Sequence, residues 1–178
     1  MNSIDGTNEY LTFFLSGEEY AIEVSKIESV LEYTKITPLP GTDDSIKGVI
    51  NLRGRALPVV DLRMAMSLEE SEITQNTSII VMFIQSDGDI LTMGGLVDSV
   101  KEVVEIGPED IQEAPKVGIR IKTSFIVGIA KKEDNFTIIL DIDKILNSDQ
   151  IAIASETENM SISDIEVDSL ETSAESSD

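Results

Sequence analysis

Short apolar runs, broken by polar or glycine-bearing gaps, recur along most of this chain, a pattern of strands and turns more than of long helices. Residues 10–15 read as a strand, Ser16-Gly17-Glu18 as a turn and residues 19–22 as the returning strand. Val24, Ile27, Val30 and Leu31 stand at helical intervals, so 23–33 is expected to open with one or two helical turns and give way to a strand near 29–33. Pro38-Leu39-Pro40-Gly41 can continue neither element, which makes 36–45 a connector.

The most informative stretch is GVINLRGRALPVVDLR, residues 48–63, where two apolar runs (49–52 and 56–62) flank an Arg53-Gly54-Arg55 tip. Such a pair reads as a β-hairpin, because glycine takes the φ > 0 backbone of a tight reversal at no steric cost. Both arms are apolar at nearly every position, so both faces of the ribbon are expected to be covered. Pro58 has no N–H to give to a ladder, which places its arm near an edge, a bulge or a bend. Residues 63–77 turn polar and read as a crossing between two halves, with a second set of strands at 78–84, 90–97, 100–106, 119–130 and 136–140. Asp87-Gly88 is a strong hairpin turn, and Gly94-Gly95 suggests a bulge or a close backbone approach. Pro108 opens a short helical turn that Ala114-Pro115 ends, and Asp143 is expected to cap a final helix carrying Ile145, Leu146 and Ile151. Nine or ten short strands with little helix predict an all-β fold, two small barrels of about five strands each around one shared core, over residues 9–154.

Composition narrows what such a fold would do. With no cysteine and no histidine, the chain has no disulfide, no thiolate metal site, no thiol nucleophile and no imidazole base. Thirteen Lys+Arg against 34 Asp+Glu give a net charge of −21, which opposes binding to nucleic-acid phosphates or anionic lipid. No apolar run approaches the roughly 20 residues of a bilayer span, and MNSIDGTNEY lacks a signal pattern, so a cytoplasmic protein is expected. From Ser155 the composition changes to serine with eight acids and no Lys or Arg, which predicts a disordered tail over 155–178. Scattered Ile162, Ile165, Val167 and Leu170 leave room there for a segment that folds on a partner.

Catalytic patterns are scarce. No phosphate-cradling glycine loop, P-loop or G-x-S-x-G elbow occurs, and the acidic runs do not match a calcium loop. Asp61, Asp98 and Asp141 each follow an apolar run and read as residues that close or cap a strand. Arg53 and Arg55 either solvate the hairpin tip or pair with a partner's carboxylate, for which a planar guanidinium is suited. Ile27 and Val30 read either as core or as the wall of an apolar groove for an amphipathic helix.

Four blocks in order, EYLTFFLSGEEYAIEVSKIESVLEY, IKGVINLRGRALPVVDLR, LVDSVKEVVEI and ILDIDKILNS, closely resemble the CheW family of bacterial chemotaxis coupling proteins, over about residues 9–153. The resemblance implies two five-stranded SH3-like barrels and no catalysis, cofactor or metal. It implies two partners, the regulatory domain of the CheA kinase and the helical signalling tip of methyl-accepting receptors, the free protein being a monomer. By that resemblance Ile27, Val30, Gly48, Val49, Arg53 and Val103 would meet the receptor. Thr77, Ser78, Ile79 and Ile153 would meet the kinase, with a second ring contact around Gln112 and Val117. Two features depart from the family pattern: Ser29 stands where a Glu is common, with Glu28 beside it, and Gln112 and Val117 stand in a loop that often holds an Arg and an aromatic. The alternatives from other classes are a carboxylate enzyme, which needs two facing acids in a deep cleft, and an oligonucleotide-binding barrel, which the charge opposes.

Overall fold

The computed structural model describes residues 7–158 apart from Ser71, Lys116, Val117, Arg120, Glu133 and Asn147. The first strands, β1 (Asn8–Leu15) and β2 (Glu18–Glu23), are joined by the Ser16-Gly17 turn, both residues at positive φ. A single 3-10 turn, Val24–Lys26, leads into β3 (Ile27–Glu32). The expected helical turns shrink to those three residues because Ile27 is already paired, opposite Met82 of the strand β6 (Ser78–Ser86). Cross-strand pairing here overrides helical spacing.

The hairpin comprises β4 (Ile46–Leu52) and β5 (Arg55–Asp61), with Leu52 opposite Arg55 across a two-residue Arg53-Gly54 turn at φ 52° and 82°. Two positive φ values in succession define the type I′ turn, whose twist matches that of the flanking strands. The helix α1 (Leu62–Ala65) follows, and β6 then forms a second long hairpin with β7 (Asp89–Val97) around Asp87-Gly88. The remaining elements are β8 (Ser99–Ile106), a 3-10 turn at Pro108–Asp110, β9 (Ile111–Gln112), a 3-10 turn at Thr123–Phe125, β10 (Ile126–Lys132), β11 (Asn135–Leu140), α2 (Ile142–Ile145) and α3 (Ser148–Glu158). Strand β10 thus starts later than 119, and the two-residue β9 is too short to leave an alternating pattern in the sequence.

Two curled sheets result, ordered β8-β1-β2-β11-β10-β9 and β3-β6-β7-β5-β4. The division between them is not at the polar stretch 64–77. That stretch joins β5 to β6 within one sheet, because β5 pairs in parallel with β7. The chain changes sheets at the Val24–Lys26 turn and again at Asp98, the one residue between β7 and β8, so residues 27–97 form one sheet as an insert between the strands of the other. Between the sheets, Phe13, Leu15, Tyr20 and Ile22 meet Val60, Ile80, Met82, Ile84 and Met93 in one shared core, closed by Ile142, Ile145 and Leu146.

Local details follow from packing. The β6–β7 ladder runs without a bulge past Gly94-Gly95, and the glycines serve close approach: a Cβ on Gly95 would stand 2.8 Å from Met82 Cε and 2.9 Å from Leu62 Cδ1. Pro58 lies just outside the β5–β7 ladder, which pairs only Val59, Val60 and Asp61; β5 is internal and β4 is the edge. Asp141, not Asp143, caps α2, accepting from the Asp143 N–H. The Asp143 carboxylate instead accepts from Lys26 Nζ at 3.0 Å and from the Gln85 N–H at 2.9 Å. Helix α3 runs to Glu158 with Thr157 buried, so the packed body continues past the boundary expected at 154, and 159–178 lie outside the described residues.

Within the first sheet the Glu19 carboxylate, on β2, bridges three strands. It accepts from Lys101 Nζ of β8 at 2.8 Å and from the Thr137 hydroxyl of β11. Burial pushes its pKa up, but these donors and the Lys101 charge outweigh burial and hold it below the ordinary 4.5. A folded-state pKa below the unfolded one stabilises the fold above the unfolded value, and that contribution is lost as pH falls through the folded value. We therefore expect Glu19→Gln to flatten the fall of stability on acidification below about pH 4.5 relative to the parent chain. Urea titrations at stepped pH check this; parallel curves for the two chains would refute it.

Candidate docking surface

The tip of the β4–β5 hairpin is open to solvent. Arg53, Gly54 and Arg55 are all exposed, and the turn is held from beneath by Asn51, whose Oδ1 accepts from the Gly54 N–H at 2.9 Å. Behind the tip both arms are buried as the sequence predicted, Leu57, Val59 and Val60 almost completely. The Arg53 side chain is presented on a turn residue at positive φ and takes part in no ion pair among the described residues. Arg55 Nη2 lies 3.5 Å from Glu28 Oε2. Glu28 sits at a register shift between Ile27 and Ser29 in the β3–β6 ladder. This irregularity supplies an acid beside the tip although Ser29 stands where the family commonly has Glu.

Strand β3 is an edge of its sheet. Ile27 and Val30 pair with Met82 and Ile80, both core residues, so they occupy the core-facing side of that edge. Ile27 packs against the core, whereas Val30 is 43% exposed. The Glu28–Arg55 pair brings this edge and the hairpin tip together, placing Val30, Glu28, Arg55 and Arg53 in one region. Val103 is 51% exposed on β8, opposite Leu11, at the edge of the other sheet.

Two of the residues expected to meet the receptor, Gly48 and Val49, lie inside the fold. Val49 is buried. Gly48, at φ 139°, lets the connector close onto β4, where Thr37 and Val49 exchange two backbone hydrogen bonds of 2.8 Å. A Cβ on Gly48 would stand 2.0 Å from the Thr37 carbonyl oxygen. The residues expected to meet the kinase are scattered. Thr77 and Ile79 are buried at the start of β6, so only Ser78 of that trio is partly accessible. Gln112 is exposed on β9, Ile153 is half-buried on α3 against the shared core, and Val117 lies outside the described residues. As side chains in this structure, Val49, Thr77 and Ile79 belong to the interior.

One cluster escaped the sequence reading. Arg63 is buried, its Nε and Nη2 donating to the equally buried Asp61 at 2.9 and 2.8 Å, and its Nη1 to Asp98 at 2.6 Å. Asp61 also caps α1 by accepting from the Arg63 N–H, and Asp98 Oδ2 accepts from the Ser16 N–H at 2.7 Å. Burial opposes the guanidinium charge, but the two carboxylates outweigh it and hold the Arg63 pKa above its ordinary value. The cluster therefore ties the β7–β8 crossing to the end of β5 and to the β1–β2 turn. It satisfies its own charges, as a structural staple does. Among the described residues no buried side-chain polar atom lacks a hydrogen-bond partner, and no group of three or more acidic residues is arranged to hold a metal ion. Nor is any helix among the described residues long and apolar enough to cross a membrane.

The structure thus presents two curled sheets sharing a core, with a cationic hairpin tip beside the exposed edge strand β3. Comparison with known proteins supplies the class: residues 9–150 match the model of the CheW-like domain, and the chain belongs to that family. It is 35% identical over 140 residues to the chemotaxis protein CheW of Bacillus subtilis, covering 78% of this chain and 86% of that one. It is 32% identical over 145 residues to the chemotaxis protein CheW of Klebsiella aerogenes, covering 82% and 85%. The crystal structure of the scaffolding protein TtCheW from Thermoanaerobacter tengcongensis superimposes with a TM-score of 0.71 at 31% identity, covering 80% of this chain and 94% of that one.

Proposed function

We propose that this chain is a cytoplasmic, non-enzymatic adaptor of chemotaxis signalling, which couples methyl-accepting receptors to a CheA-class histidine kinase and works without a cofactor. The observation that carries the reading is family membership over residues 9–150, together with the exposed Arg53–Arg55 tip beside the β3 edge. A buried ribbon that ends in unburied cations offers a partner a rigid, charge-bearing point of attachment, whose guanidinium forks suit a carboxylate. The net charge of −21 repels an acidic partner at a distance, but screening limits charge effects to about 8 Å at physiological salt, so the local positive tip can still attract a carboxylate at close range. In this reading Arg53, Val30 and Ile27 receive the receptor helix, with Val103 contributing from the other sheet. Ser78, Gln112, Val117 and Ile153 mark the kinase side, and Gly48, Val49, Thr77 and Ile79 shape these surfaces from within.

The test is a binding titration of the chain against a receptor signalling-tip fragment and, separately, against the kinase regulatory domain. Binding to neither ends the proposal. Arg53→Ala is expected to weaken receptor-fragment binding about tenfold, as the loss of one charge-assisted pair does, while changing stability by no more than about 0.5 kcal/mol. Full receptor binding by a folded Arg53→Ala variant would remove Arg53 from the site.

A further inference from the structure

Beyond α3 the chain carries a segment unlike its body. Residues 159–178 hold Asp164, Glu166, Asp168, Glu171, Glu175 and Asp178, no Lys or Arg, and the apolar residues Ile162, Ile165, Val167 and Leu170 between them. We propose that this segment is a ligand for the chain's own hairpin tip, folding back over Arg53, Arg55 and Val30 and competing there with the acidic partner. The competition rests on the adaptor reading; the docking itself does not.

Three observations converge on this occupant. Arg53 is an exposed guanidinium without an ion pair among the described residues, and Arg55 is 57% exposed with a loose contact to Glu28. Val30, 43% exposed, supplies an apolar surface in the same region. A segment that alternates carboxylates with Ile, Val and Leu presents both complements, and it contains no cation of its own to satisfy them. Second, α3 starts the segment on the right strand. The helix packs on β5, and the Gln150 amide donates to the Ser45 hydroxyl at 2.6 Å, while Ser45 O accepts from the Asp61 N–H at the end of β5 opposite the tip.

Third, the reach is sufficient. Strand β5 spans roughly 20–23 Å at about 3.3 Å per residue. Helix α3 ends eight residues past Gln150, about 12 Å along its axis, so the segment starts at most about 35 Å from the tip. Twenty residues of coil average about 25 Å end to end and extend beyond about 60 Å, so they can reach it. Tethering at that distance gives an effective concentration in the millimolar range, enough to populate a contact whose free components would bind only weakly.

The chain has no cysteine, so a single introduced cysteine gives one labelling site. In the full-length chain, a nitroxide on Ser169→Cys is expected to broaden the amide signals of Val30, Arg53, Gly54 and Arg55. The broadening is expected to fade with rising salt and to vanish when the six acids of 159–178 are replaced by Asn and Gln (D164N/E166Q/D168N/E171Q/E175Q/D178N). Unbroadened tip amides would overturn the docking. Broadening seen only when labelled chains are mixed with unlabelled, isotopically enriched ones would overturn the intrachain contact and assign the segment to a second copy.

Competition is read separately, with an acidic receptor signalling-tip helix as the probe. The neutralised chain is expected to bind it about three- to tenfold more tightly than the parent. Equal affinities would overturn competition. If the tip amides broaden but the probe binds neither chain, the docking stands and the adaptor reading falls.

Discussion

Arg63→Met is expected to destabilise this protein by about 3–5 kcal/mol, a large part of the total stability of a domain this size. The reason is not the loss of three hydrogen bonds as such. Removing the guanidinium leaves Asp61, fully buried, without its charge partner, and takes from the Asp98 carboxylate the Arg63 Nη1 donor at 2.6 Å. The cost of an uncompensated buried charge exceeds the net worth of the pair that covered it. A paired substitution separates the two: Asp61→Asn together with Arg63→Met neutralises both sides and retains an amide oxygen to cap α1, so it should recover a substantial part of the loss. Urea unfolding of the parent, single and double variants is the measurement. A single variant within about 1 kcal/mol of the parent would mean that the cluster is solvated and not a staple.

The second large effect is expected at Gly48. Gly48→Ala should cost about 2–4 kcal/mol, from a φ of 139° that side chains rarely adopt and from a Cβ that would stand 2.0 Å from the Thr37 carbonyl oxygen and 2.6 Å from its carbon. Backbone atoms cannot rotate away as a flexible side chain would, so the connector must lift off β4 and the two hydrogen bonds between Thr37 and Val49 must open. The loss has a local signature: the amides of Thr37 and Val49 should lose protection from hydrogen exchange out of proportion to the rest of β4. Retained protection at both, with unchanged stability, would sink this account.

Much of the molecule was legible from its residues. The alternation and the turn residues located every long hairpin, and Arg53-Gly54 and Asp87-Gly88 form the positive-φ turns that their chemistry demands. Continuous apolarity at 56–62 correctly marked a ribbon covered on both faces. The four blocks identify the family from sequence alone, because they combine turn residues, buried runs and a cationic tip in one fixed order. What stayed hidden depends on contacts distant in sequence. The helical spacing of 24–31 gave way to a strand because Ile27 finds Met82, 55 positions later. Asp143 was a plausible cap by local rules, yet Asp141 holds the cap while Asp143 braces Lys26 across the sheet crossing. The two-residue β9 left no periodic trace, since only its pairing with β10 makes it a strand.

The sequence by itself determined the all-β character, the long hairpins, the absence of thiol and imidazole chemistry, and the acidic segment, because each rests on local conformational preference or on composition. Only the tertiary structure decided that the sheets divide at Val24–Lys26 and Asp98 and not at 64–77, that Arg63 is a buried staple while Arg53 is exposed at a hairpin tip, and that Gly48 lets the connector close onto β4. Two arginines ten residues apart are alike to any local rule. Which one meets two carboxylates inside the core and which one meets solvent is set by the folding of 27–97 into a single sheet, and no stretch of the chain carries that information alone.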